Sequence, residues 1–155
     1  MNIEEFKARL GAGGARPNQF RVKLAFPSYV TGVDPSYSLL VTGAALPASN
    51  VNPAIIQYRG REIKLAGERI FDPWTITVVN DSDFSLRAPF ENWMNGMNNM
   101  TDNEGLTNPS DYQVDIFIDH LDRNGATLKS YTLRGAFPTA LDDIALDYST
   151  NNAVE

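Results

Sequence analysis

Apolar and polar residues trade places at every second position along much of this chain, and turn signals punctuate the runs. Phe20, Val22, Leu24 and Phe26 alternate with Arg21, Lys23 and Ala25, which predicts a half-buried strand over 20–26. "SLLVTGAALP" predicts a second strand, stopped by Pro47. "NPAIIQYRGREIKLAG" predicts two strands around Arg59-Gly60, as a tight hairpin or a long extended arm. In "WTITVVN", Trp74, Ile76 and Val78 share one face while Thr75, Thr77 and Val79 share the other. Its β-branched residues lie on both faces, so this strand is expected to be covered on both sides. "YQVDIFIDH" and "TLKSYTLRG" flank Asn124-Gly125 and predict a hairpin, and "IALDYS" predicts a last strand.

Helical spacing interrupts this pattern twice. Ile3, Phe6 and Leu10 share one face of "IEEFKARL", a short helix that "GAGGARPN" breaks with glycines and a proline. Residues 1–19 are thus expected to form a flexible N-terminal arm before a single domain at 20–155. Leu86, Phe90, Trp93, Met94 and Met97 recur at helical spacing after "SDFS", where Ser82 or Asp83 is placed to cap the helix. Pro89 fits only the first turn, so the helix begins near Ala88 or kinks there. The expected fold is mostly β (α+β): a small antiparallel barrel or sandwich with one flanking helix.

Composition narrows the chemistry. The 155 residues carry 13 basic and 19 acidic side chains, a formal charge of −6, with the basic residues scattered rather than clustered. That argues against tight binding of nucleic acid, which needs grouped Lys and Arg. With no cysteine there is no disulfide, thiol nucleophile or thiolate metal site. No apolar run is long enough for a membrane helix, so no membrane insertion is expected. His120, the single histidine, stands at a strand end and reads as a surface residue. "DHLDRNGAT" has Asp119, Asp122, Asn124 and Gly125, but Leu121, Arg123 and Tyr131 break a calcium loop's ligand pattern. Asp81 and Asp83 are explained by helix capping, and Asp142 and Asp143 by a solvated or interface role. No phosphate-cradling loop or nucleophile elbow occurs, so no enzyme, cofactor or metal is expected.

Four separated stretches carry a resemblance. "ARPNQF" (Arg16, Pro17, Phe20), "TGAALPASNV" (Leu46, Pro47), "GREIKLAGERIFDPWTITVVND" (Arg69, Phe71, Asp72, Trp74, Asn80, Asp81) and "RGAFPTALDDIALDYSTNN" (Pro138, Tyr148) occur in this order. Together they resemble the tail tube protein of contractile-tailed, T-even-type bacteriophages over nearly the whole chain. The named residues, with Trp93, are therefore candidate structural or interface positions. The resemblance implies hexameric rings whose strands join into one inner barrel and which stack into a hollow tube. It implies as partners the tail sheath protein, a tape-measure protein, a baseplate initiator and a tail terminator. DNA would cross the lumen without specific binding, in a virion assembled in the host bacterial cytoplasm. Stacking contacts are expected from the arm and from residues 43–67. In that family a further aromatic-rich strand follows a stretch like Asn151–Glu155. Where a sheet edge stays unpaired for want of it, the isolated chain is expected as a monomer or small oligomer, or in irregular association.

Pro73 is expected to set the direction of entry to the strand, Asp72 to accept a turn hydrogen bond, and Trp74 to pack on the helix carrying Phe90 and Trp93. The tube or tube initiator of a phage-derived bacteriocin or injection device remains open, as does a monomeric ligand-binding β-domain.

Overall fold

Val22, Ile116 and Ile118 decide where the core lies. In the computed structural model, which describes residues 2–10 and 15–149, these three side chains are buried together. Val22 faces Ile118 across the antiparallel pair of β1 (Phe20–Lys23) and β6 (Val114–Leu121). β2 (Val41–Ala44), β3 (Ser49–Tyr58), β4 (Arg61–Phe71) and β5 (Ile76–Val78) lie between them in the chain, and β7 (Thr127–Ala136) follows β6. Three antiparallel sheets result, ordered β1-β6-β7, β2-β5 and β3-β4. Phe20, Leu24, Val41, Ala44, Trp74, Tyr131 and Leu133 pack around the buried trio, so the first two sheets share one core.

A second apolar centre forms under α2 (Arg87–Met97). Trp93 is buried, and Phe26 meets it edge-on at 5.5 Å and Phe90 at 5.1 Å between ring centroids. The indole N–H donates to Tyr112 O at 2.8 Å, on the short helix α3 (Pro109–Tyr112). The Tyr29 hydroxyl donates to Trp93 O at 2.9 Å, and burial pushes that phenol above its ordinary pKa, so it stays a donor. Pro89 sits in the first turn of α2, where a missing N–H costs no helical bond. An exposed helix α1 (Ile3–Leu10) precedes the domain and presents Ile3 and Phe6 to solvent.

The fold is mostly β with few helices, as the patterning predicts, but among the described residues the strands do not close into a barrel. β1 stops at Lys23 because Phe26 leaves the sheet to join Phe90 and Trp93. A 3₁₀ turn at Pro35–Leu40, started by Asp34 accepting from Ser36 N at 2.8 Å, takes the first residues assigned to the second strand. β5 is short and one-sided, with Ile76 and Val78 half-buried and Thr75 and Thr77 exposed. "IALDYS" is not a strand: Leu146 and Tyr148 are exposed, and no strand lies beside them among the described residues.

Asp81, not Ser82 or Asp83, organises the entry to α2. Its carboxylate accepts from Ser85 N at 2.8 Å and from the Ser85 hydroxyl. Those bonds favour the charged form and hold the Asp81 pKa below the usual carboxylate value. A depressed folded pKa gives stability that is complete above the unfolded value, about pH 4, and is lost as pH falls through the folded value. The stability gap between the parent and Asp81→Asn is therefore expected to narrow as pH drops from neutrality into that acid range. Thermal melts at stepped pH check this; a gap independent of pH contradicts it.

Candidate assembly interface

The hairpin of β3 and β4 has the geometry its turn dictates. Arg59 and Gly60 both take positive φ, 48° and 77°, the mark of a two-residue type I′ turn. From Tyr58↔Arg61 the ladder runs through Ile56↔Ile63 and Ala54↔Leu65 to Pro53↔Ala66, then slips by one residue before Val51↔Arg69. Gly67 permits that bulge, since a Cβ there would stand 2.4 Å from Asn52 O. Every residue of both strands is exposed. Ile56, Ile63 and Leu65 therefore line one open face with Tyr58 and Ile70, while Val51, Ile55 and Phe71 line the other.

A lone two-stranded sheet is marginal in water, and a surface of this kind ordinarily marks a contact with another molecule. Sequence reasoning placed the hairpin but did not single out Ile55, Ile56, Tyr58, Ile63, Leu65 or Ile70. The signal was available in Ile55-Ile56: adjacent strand residues point to opposite faces, and a single hairpin covers neither.

Near the root of this arm several sequence candidates converge. Pro17, Phe20 and Leu46 line a cavity of about 240 Å³ with Ile118 and His120. His120 is half-buried rather than a free surface residue, and its Nε2 donates to Arg16 O at 2.9 Å. Leu121 N donates to Gln19 O at 2.8 Å, so the segment entering β1 is tied to the end of β6. Trp74 reaches Ala45, which lines this cavity. It packs on the Val22–Ile118 core and donates from Nε1 to Ala45 O at 2.6 Å, not onto the helix of Phe90 and Trp93 as expected. The reason is topological: β5 pairs with β2, and Phe26 already fills the space against Phe90 and Trp93. Asp72 accepts across the root of the hairpin, from Asn50 Nδ2 at 2.9 Å, instead of within a turn.

The remaining candidates are dispersed. Pro47 is half-buried, and Arg69 and Phe71 are exposed on β4. Asn80 keeps a buried Oδ1 with no hydrogen-bond partner among the described residues, next to Asp81 at the approach to α2. Pro138 follows Phe137, which meets Tyr112 edge-on at 5.7 Å, and Tyr148 is fully exposed. Trp93 belongs to the second core. Among the described residues no three His, Asp or Glu side chains converge as a metal cluster.

A chain with an open apolar arm and a small two-centred core has relatives of known kind. Residues 15–155 match the phage tail tube protein family. The chain belongs to that family. It is similar to the tail tube protein of Serratia phage KSP90, 29% identical over 151 residues, which covers 95% of this chain and 85% of the relative. It is likewise similar to tail tube protein gp19 of Enterobacteria phage T4, 28% identical over 142 residues, covering 91% of this chain and 83% of the relative. The counterpart from Enterobacteria phage T6 matches to the same extent. Tail tube family membership gives the chain a structural role in a phage tail, as a virion component among other tail proteins. α1 precedes the matched region, which begins at Ala15.

Proposed function

We propose that this chain closes into hexameric rings that stack into the inner tube of a contractile phage tail, through whose lumen DNA leaves the capsid. The β3–β4 hairpin carries this reading: both its strands are exposed at every residue and apolar on both faces, so the arm is completed by neighbouring copies. Residues 20–155 form the ring-building domain. Residues 1–19, with Ile3 and Phe6 exposed on α1, serve as an arm for contacts between subunits, as does the 43–67 stretch. The net charge of −6 favours a lumen past which DNA moves without sticking.

In that role the tube is built around a tape-measure protein in the host bacterial cytoplasm, starts on a baseplate initiator, ends at a terminator and lies inside the sheath. Negative-stain microscopy of the purified chain at rising concentration tests the core of the reading. Rings or tubes with a central channel are expected, in place of the monomer or small oligomer that a sheet edge left unpaired would give. A compact monomer at every concentration overturns it.

A further inference from the structure

Among the described residues the sheets offer six edges, and their lengths and hydrogen-bond phase separate them. β1, β2 and β5 have four residues or fewer, too short to seat a long partner strand. β3, β4 and β7 have ten, eleven and ten.

The phase of each long edge follows from one bond. In the type I′ turn, Tyr58 and Arg61 form the hydrogen-bonded closing pair. Bonded and non-bonded pairs alternate along an antiparallel ladder. Pro53, Ile55 and Gln57 of β3, and Glu62, Lys64 and Ala66 of β4, therefore turn their main-chain polar groups outward. On β3 that row is broken, because Pro53 has no N–H to give. On β4 it runs unbroken from Glu62 to Ala66, ahead of the bulge at Gly67. For β7, Leu121 N donates to Gln19 O, so odd-numbered residues of β6 face β1 and even-numbered ones face β7. His120↔Lys129, Ile118↔Tyr131 and Ile116↔Leu133 are then the bonded pairs, and Ser130 and Thr132 point their N–H and C=O groups into solvent. β7 carries no proline.

We infer that the outer edge of β4 in one copy pairs with the outer edge of β7 in the next, making the hairpin a donated pair of strands. The donor and acceptor are the two long edges with a proline-free polar row over their regular stretch, residues 62–66 of β4 and 129–133 of β7, and those stretches, each bounded by a register slip, match in length. The same pairing supplies the hairpin with a third strand, which a free two-stranded arm lacks. Proline at position 53 then guards the opposite side, limiting addition to one edge. This assignment rests on the ring reading above.

Matched proline substitutions test it. Lys64→Pro removes an outward N–H on β4, Gln57→Pro does the same on β3, and neither costs an internal ladder bond. The hairpin lies outside both buried centres, so near-ultraviolet circular dichroism is expected unchanged in both variants. Lys64→Pro is expected to lower the yield of rings and tubes by about tenfold or more, and Gln57→Pro to leave it near the parent's.

Because the chain has no cysteine, disulfides give a second measurement. In the double variants Lys64→Cys with Ser130→Cys, or with Thr132→Cys, oxidation of assembled protein is expected to give a covalent ladder of copies. Lys64→Pro assembling like the parent, Gln57→Pro proving the disruptive one, or rings that form without any ladder would each overturn the assignment while leaving the ring reading intact. A parent chain that forms no rings overturns the ring reading and this assignment together.

Discussion

Trp93→Ala is expected to lower the stability of the folded chain by about 3–5 kcal/mol, the usual cost of truncating a buried aromatic. The side chain is 1% exposed. Its indole is stacked on Phe90 at 6.0 Å and touched edge-on by Phe26 at 5.5 Å, so its removal empties a space walled by rigid rings that collapse poorly. It also orphans Tyr112 O, which adds roughly 1 kcal/mol or more where that carbonyl stays dry. Small domains hold about 5–15 kcal/mol in total, so a large share is removed by one substitution. Trp74→Ala, at a half-buried indole that reaches Ala45 O, is expected to cost less. Urea unfolding followed by far-ultraviolet circular dichroism ranks the two. A Trp93→Ala loss under about 1 kcal/mol would mean that the α2 centre is not a closed core.

What the sequence reveals and what it conceals have separable causes. The two turns were legible because Gly60 and Gly125 each take a φ of 77°, which few residues accept, so local chemistry decides them. The helix of Phe90 and Trp93 was legible because spacing alone sets its buried face. The partner of Trp74 was not, since that depends on which sheet β5 joins, a choice made far upstream by the path of Phe26. "IALDYS" shows the limit of alternation: a period of two states that a segment suits a strand, not that a neighbour exists. The candidate interface is the same problem in reverse. β3 and β4 carry apolar residues on both faces, the pattern of covered strands, yet among the described residues both strands stay exposed throughout. A sequence encodes burial in the assembly as readily as burial in the subunit.

That distinction yields the second large effect. The double variant Ile56→Asp, Ile63→Asp is expected to abolish ring and tube formation while leaving the isolated subunit's stability nearly unchanged. The two isoleucines face each other across the hairpin at 50% and 45% exposure. In the free chain the carboxylates therefore remain solvated, and exposed substitutions of this kind fall within about 0.5 kcal/mol plus the loss of one cross-strand apolar pair, roughly 0.2–1 kcal/mol. In a closed ring the same positions are desolvated, and two like charges directly opposite one another repel. An unpaired buried charge costs several kcal/mol after relaxation, and ring symmetry repeats that cost at every subunit contact. The ratio of the two effects is what identifies the surface: a core position would lower the melting temperature, whereas an assembly position lowers only the assembled fraction. Sedimentation velocity and thermal melting on the same preparation separate them. Assembly at the parent's level would remove the hairpin face from the interface, and a large drop in melting temperature would place it in the subunit's own core.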